Sequence, residues 1–505
     1  MSLCRCLRRR RRDVGCHHLP GGLLLLLVWA AVGTGAASAA ISLPPPEVHA
    51  RSTEICLNSR LSYHGGWSGA APDQMLSDVL FAASRAPLTG GALTLYLANA
   101  QNVYLYDPAT NSLTVHQSGD QRSDNTAAFE IGISAGNMTD AGAAMHLALL
   151  EATALWSGTA NQLAACPRAS ATTYANAHWN PATTVDLAAS FGLRTVRGFS
   201  TNLVAVSSDG SLPAPSTDGT VLLDRVLPSL GFDSSFAATD LNPSQLSQLL
   251  WATYGCTDHY ASGRGGLVCA SAVANYYLTR HVYAVTSAAV YRYHDRLPPG
   301  TDLTTRDHRI ELVTPGDVRP TLRPQVAGLP AAPDYLVLCL GATGDWQQLE
   351  VGFAAMGAVL EASTLGLGGC VTPVTPDEQA GIRAATGIPS GDLPMAVVSL
   401  GPPAGPVAVA SPPVGAGLTL SVATASAGPV TIRFSLPRAM TVDLAVYDPQ
   451  GRPVRKLIEG QVLRGPQLLT WDIRDSAGRL VPSGVYFCRL SSTGATRSAE
   501  VVVVR

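Results

Sequence analysis

The sequence has almost no lysine: Lys456 is the only one among 34 basic residues, so positive charge is carried throughout by arginine. Charged residues are sparse at 14% and neither sign dominates. Beyond the first forty residues there is no basic stripe, and that charge pattern argues against nucleic acid as a partner. Neither C-x-x-C nor His-x-x-x-His occurs, which argues against a zinc site of the usual spacing. Seven cysteines follow residue 40, an odd and widely spaced set, and they read as small buried apolar residues rather than a disulfide framework. His294 and His308 lie beside Asp295 and Asp307 without ligand spacing, and read as surface histidines. Beyond the first forty residues no apolar run reaches the roughly 20 residues a membrane span requires.

What is present begins with a processing segment. Arg8 to Arg12 form a positive region, Leu23 to Ala31 an apolar one, and Ala37-Ser38-Ala39 a small-residue cleavage pattern. Residues 1–40 are therefore expected to be a signal peptide, and the protein extracytoplasmic, secreted or on the cell surface of a bacterium. The remainder divides into units at 53–205 and 218–402, a linker at 403–417 and a tail at 418–505.

The two body units read as copies. Leu76 to Ala82 reappears as Leu246 to Ala252, and Val103-Tyr104-Leu105-Tyr106 as Val290-Tyr291-Arg292-Tyr293. Gly142, Ala144, Leu150, Glu151, Ala152 and Leu155 match Gly352, Ala354, Leu360, Glu361, Ala362 and Leu365. Three blocks in one order point to an internal repeat. The last block predicts a helix, with an apolar stripe at Leu349, Phe353, Met356 and Leu360. Gly352, Ala354, Ala355, Gly357 and Ala358 are small, so another backbone can approach it. Gly366-Leu367-Gly368-Gly369 ends it, since glycine tolerates the left-handed cap conformation. The Val-x-Tyr blocks alternate as strands do. An α+β body follows. The tail predicts five short strands between glycine-containing turns at Asp448–Gly451, Asp475–Gly478 and Pro482–Gly484, an all-β sandwich.

Residues 218–402 resemble the nitroreductase superfamily, its SagB-type dehydrogenase branch in particular. The resemblance is carried by Leu246 to Ala252, Ala270-Ser271-Ala272, Val290 to His294, and the helix from Gly352 to Gly369. The first unit resembles it more faintly. This implies a tandem-duplicated nitroreductase-like fold, with FMN held between the copies and a reduced nicotinamide or other electron donor as partner. The tail resembles the immunoglobulin-like domain of flagellar hook-capping proteins and the sorting domains of type IX secretion cargo. Trp471-Asp472, Asp475, Gly478 and Ser483 to Tyr486 carry that likeness, which implies export machinery as a second partner.

The candidate cofactor-binding residues are Ser59 and Arg60 as a phosphate grip, and Arg264 and Ser271 near the flavin or substrate. Gly366, Leu367, Gly368 and Gly369 complete the set as a turn lining the ring. Arginine suits phosphate through charge-assisted hydrogen bonds, and glycine lets main-chain amides approach. The chain departs from the family pattern in three places. Pro228 to Ser235 contains no arginine, Ala270 to Tyr277 lacks the family's proline and glycine, and Gly357 stands where asparagine is common. Ser271 has no G-x-S-x-G context, which argues against a hydrolase. Two readings result: an exported FMN-dependent oxidoreductase, or a non-catalytic exported scaffold on the same fold.

Overall fold

The computed structural model of the chain describes residues 40 to 503, apart from 88, 90–91, 157–161, 196–203, 208–210, 262–263, 271–276, 297–304, 342–343, 405–418, 423–424, 427–429 and 493–494. The expected export segment and most of the linker lie outside that set. Among the described residues no helix is long and apolar enough to cross a membrane.

The chain opens with β1 (Ile41–Ser42), α1 (Thr53–Ser59) and α2 (Asp73–Ser84). Four strands follow, β2 (Thr94–Asn99), β3 (Asn102–Asp107), β4 (Ser112–Ser118) and β5 (Phe129–Ser134). Then come α3 (Met138–Ala154), β6 (Gln162–Pro167), α4 (Ala169–His178) and β7 (Leu187–Arg194). The next stretch holds β8 (Val204–Ser207), α5 (Leu223–Val226), α6 (Pro243–Tyr254), and a hairpin of β9 (Cys256–Ala261) and β10 (Arg264–Leu267). It continues with β11 (Val282–Val285), β12 (Ala289–Arg296), β13 (Thr305–Pro315), α7 (Arg319–Leu322) and β14 (Asp334–Leu340). The body closes with α8 (Asp345–Thr364), β15 (Gly368–Pro373), α9 (Gln379–Thr386) and β16 (Leu393–Gly401).

The same architecture occurs twice. The first sheet runs β4-β3-β2-β5-β7-β6, and the second runs β13-β12-β11-β14-β16-β15. Each corresponding pair along these paths is antiparallel. The repeated blocks fall on equivalent elements: α2 with α6, β3 with β12, α3 with α8. The outer edges differ, since β1 adds antiparallel to β4 while β8 adds parallel to β13. Val204–Ser207 thus pairs in the second sheet although it follows the first in sequence.

Helices α3 and α8 are buried on almost every side, as central helices must be. Their small residues explain how they meet. A Cβ on Gly142 would lie 2.2 Å from the Leu349 carbonyl oxygen, and one on Gly352 would lie 1.9 Å from that of Thr139. Glycine at each equivalent position lets the other helix's backbone come into contact. The helix starts are conventional: Asn137 caps α3 through Asp140 N, and Asn242 and Gln245 form a capping box on α6. Gly366, at φ 71°, ends α8 in the left-handed conformation expected of it.

A second reciprocal contact relates the halves. Thr53 N donates to Val221 O at 3.0 Å, and Leu223 N donates to Arg51 O at 3.1 Å. These bonds flank a bridge between Ser52 and Leu222. The pattern is that of a two-fold axis passing through one chain, and it pairs α1 with α5 as equivalents. One continuous apolar core takes side chains from both halves.

The tail is all β, built from β17 (Thr419–Val422), β18 (Ala425–Ser426), β19 (Val430–Tyr447), β20 (Pro453–Trp471), β21 (Gly484–Ser492) and β22 (Ala495–Val503). Two expected strands, Val430 to Leu436 and Thr441 to Tyr447, are one long strand. Pairing with β20 carries through the Pro437 region by a register shift between Leu436 and Met440. Two of the turns are built alike. Asp448 Oδ1 accepts from Gln450 N and Arg452 N, and Asp475 Oδ1 accepts from Ala477 N and Arg479 N. Gly451 and Gly478 take the positive φ in each. Trp471 is buried in the tail's own core, edge-on to Tyr486 at 5.5 Å, with its indole N–H on Arg474 O. Trp471→Ala is expected to cost about 3–5 kcal/mol in the tail's unfolding transition, read by chemical denaturation of the full chain.

Candidate functional site

Two places in the body receive the residues singled out by sequence. They are equivalent positions of the repeat with different contents.

At the first, α1 ends in Ser59, and the chain turns through Arg60 to Gly69 along the ends of β6 and β7. Ser62 bridges to Ala165, and Ser68 N donates to Leu193 O. Arg60 is buried, and its guanidinium donates to three successive carbonyls of the other half: Leu267 and Cys269 at 3.2 Å and Val268 at 3.4 Å. It also reaches Ser62 Oγ at 3.4 Å. These carbonyls belong to the segment between Arg264 and Ser271. Arg264 lies on β10, where only its backbone is described, and Ser271 lies outside the described residues.

Two further arginines border the same turn. Arg194, the last residue of β7, lies over the Tyr63 ring at 4.7 Å and donates to the Gly65 carbonyl. Arg168 stands beside Cys166 and His64. It lies 3.6 Å from Asp124, and with burial it holds the His64 imidazole below its usual pKa. Cys166 Sγ is 3.3 Å from His64 Nδ1, and burial raises its pKa. The Nε atoms of Arg168 and Arg194 are both buried without a hydrogen-bond acceptor. A buried guanidinium N–H left open favours an anion. The sequence reading found Arg60 but missed Arg168 and Arg194. Each stands at a strand end more than a hundred residues away, where only the fold brings it near.

The neighbouring sheet face is already covered. The Trp67 ring occupies the space over Gly192, where a Cβ would come within 2.7 Å of it, and its indole N–H is held by Asp124 at 3.0 Å. Tyr63, Trp67 and Trp156 pack together as a small buried cluster.

The second place holds Gly366 to Gly369. Leu367 is buried in the core, while Gly368 and Gly369 begin β15. The opposing loop carries Phe232, Asp233 and Phe236. A Cβ on Gly368 would lie 2.9 Å from the Asp233 side chain and 3.1 Å from the Phe236 ring. By the α1–α5 correspondence, Leu230 stands in place of Arg60. Between the halves, Pro87, Thr89, Asp140, Phe232, Gly352 and Met356 line a space of about 10 Å³. Ligand pockets run to roughly 300–1,000 Å³. With an acidic residue at the glycine turn and no room, this place does not fit a flavin phosphate or ring. The first keeps an open guanidinium N–H at each end of the β6–β7 ladder. The described candidate residues thus divide between two places rather than forming one, Ser271 lying outside them.

The sequence reading of two histidines changes. His294 and His308 are not surface residues. His294 is enclosed and bonded to Glu311, while His308 is held between Ser247 Oγ at 2.7 Å and Tyr293 OH at 2.8 Å. His308 shares the core face with Tyr293 and Ile310, while His294 is enclosed on the opposite face of the sheet. Gly132-Ile133-Ser134-Ala135-Gly136 matches G-x-S-x-G at a strand-to-helix junction. Its Ser134 hydroxyl, however, bonds Thr183 Oγ1, and Asp186 accepts from the Ala135 and Gly136 amides, so the turn reads as structural.

No family model matches the chain, and no curated protein matches it. Similar solved structures exist. A putative nitroreductase from Anabaena variabilis is 11% identical, with 72% of this chain and 94% of that chain covered at TM-score 0.47. A putative nitroreductase from Ralstonia eutropha is 21% identical over 42% of this chain and 97% of that one, at TM-score 0.32. An NADPH:FMN oxidoreductase from Vibrio harveyi is 15% identical over 36% and 69%, at TM-score 0.25.

Proposed function

We propose that the chain is an exported oxidoreductase of the nitroreductase type that takes one FMN, at the first place and not at the second. The observation that carries this is a buried, acceptor-less Nε on each of two arginines that border the turn after Arg60, Arg168 at one end and Arg194 at the other. A phosphate beside the turn would receive one of these open N–H groups, since the two arginines stand at opposite ends of the β6–β7 ladder. Bound flavin would supply hydride and electron transfer, and a reduced nicotinamide would serve as donor. The protein's own part is to hold the phosphate and to keep water from the Tyr63–Trp67 face.

A second reading keeps the same fold without flavin, as an exported scaffold. It is favoured by Arg60, whose donors already rest on main-chain carbonyls, and by Trp67, which covers Gly192. FMN titration of the mature chain separates the two. One equivalent bound, with the flavin spectrum perturbed, supports the first; no binding at any concentration supports the second. In the first case one of Arg168→Ala and Arg194→Ala is expected to weaken FMN by about 10- to 100-fold, the worth of one charge-assisted hydrogen bond, and the other to leave it little changed. The export reading rests on the Arg8–Ala39 pattern. It expects mass spectrometry of the full chain expressed in a bacterium to find the N-terminus at Ala40.

A further inference from the structure

Away from both of these places, a group of ionisable side chains is enclosed where the N-terminal lead-in meets α2, α3 and α5. Asp78 comes from α2, Glu151 from α3 and Asp224 from α5, all three buried. His49 completes it from the lead-in. Its Nε2 lies 3.2 Å from Asp78 Oδ2 and 3.5 Å from Glu151 Oε1, and its main-chain N–H donates to Asp224 Oδ2 at 2.8 Å. One ligand atom each from His49, Glu151 and Asp224 can be chosen within 4.8 Å of one another.

The partners of these groups are unequally satisfied. Asp78 Oδ1 accepts from Glu47 N and Gln74 Nε2, each at 2.9 Å. Glu151 is 1% exposed, and neither of its carboxylate oxygens has a hydrogen-bond donor. A buried carboxyl facing two others is costly as an anion unless a cation or a shared proton compensates it.

We propose that His49, Glu151 and Asp224 bind one divalent transition-metal ion, with Asp78 set against the same imidazole. The donor set of one imidazole with carboxylates suits zinc or manganese better than magnesium or calcium, which prefer oxygen alone. Bonds of roughly 2.0–2.1 Å in a tetrahedral site place neighbouring ligand atoms about 3.3–3.4 Å apart. The 3.5 Å between His49 Nε2 and Glu151 Oε1 lies close to that edge, and the Nε2 that Asp78 now holds at 3.2 Å would turn to the ion. The His49 side chain is 18% exposed, which gives the ion an entry.

The repeat supplies an internal control. Under the correspondence that pairs α1 with α5 and α2 with α6, Gly219 stands for His49, Glu54 for Asp224 and Gln248 for Asp78. Glu361 stands for Glu151. There Gln248 is a neutral amide with both ends bonded to the Ser216 backbone, and no imidazole occupies the equivalent position. The mate keeps two carboxylates and has lost the nitrogen ligand, so the chain carries one such site and not two. This assignment is independent of the flavin reading.

The test uses the mature chain from Ala40, stripped with chelator and titrated separately with Zn²⁺, Mn²⁺ and Co²⁺. One equivalent bound, a raised melting temperature, and visible Co²⁺ bands of tetrahedral intensity are expected. His49→Ala and Glu151→Gln should each weaken binding by more than roughly 100-fold, beyond the cost of altering a residue that only orients a ligand. Glu361→Gln, in the mate, should leave the stoichiometry at one. Absence of binding by the unaltered chain overturns the proposal, and so does a Glu151→Gln variant that binds as the parent does. Either result would make the cluster a proton-sharing carboxyl pair, Glu151 with Asp224. If Glu151→Gln does not fold, His49→Ala, on the partly exposed lead-in, carries the same decision.

Discussion

Replacing Gly352 with valine is expected to prevent the body from folding, or to lower its stability by more than the 1–3 kcal/mol typical of overpacking. The reason is the partner atom. A Cβ at this position would lie 1.9 Å from the Thr139 carbonyl oxygen and 2.8 Å from its carbon, both main-chain atoms of α3. No side-chain rotamer can relieve such a contact, so one helix must move off the other. Gly142→Val should do the same, because its Cβ would meet the Leu349 carbonyl at 2.2 Å. Circular dichroism and thermal unfolding of both variants check this. A Gly352→Val protein that melts like the parent would show that α3 and α8 do not meet as described.

The second large effect is on the pH dependence of stability. Burial, with Glu54 nearby, raises the Glu361 carboxyl from about 4.5 to about 8, and burial raises Glu54 in the same direction. Between those two values the folded protein holds a proton that the unfolded chain has released. Stability is therefore intact below about pH 4.5 as far as this group is concerned, and it falls as pH rises toward 8. The slope can reach about 1.4 kcal/mol per pH unit from one group. Glu361→Gln, which keeps the shape and removes the titration, is expected to stabilise the protein at pH 8 and to flatten the slope. Urea denaturation at pH 5, 6.5 and 8 measures it; a variant with the parent's slope would contradict the buried, protonated carboxyl.

The repeat was legible because it leaves marks of several kinds at fixed order. Gly142 and Gly352, Glu151 and Glu361, and the Val-x-Tyr strands sit on equivalent elements of two identical strand orders. The left-handed cap at Gly366 was legible for a local reason, since only glycine takes that conformation cheaply. What stayed hidden depends on distance along the chain. Arg168 and Arg194 look like ordinary surface arginines until β6 and β7 bring their ends to the Arg60 turn. His49 looks like part of a proline-rich lead-in until α2, α3 and α5 gather around it. His294 and His308 lie on opposite faces of the β12–β13 pair, both of them covered, and a short polar segment gives little sign that either face is.

The reciprocal bonds between Thr53 and Val221 and between Leu223 and Arg51 have a consequence for how such a molecule can change. In an assembly of two identical subunits every substitution appears twice, so a gain at one interface position is matched by the same alteration at its mate. Joining both halves in one polypeptide removes that coupling. Arginine can persist at 60 while leucine occupies 230, and histidine at 49 while glycine occupies 219, with the shared helices still fitting. One half is then free to specialise while the other serves as its wall.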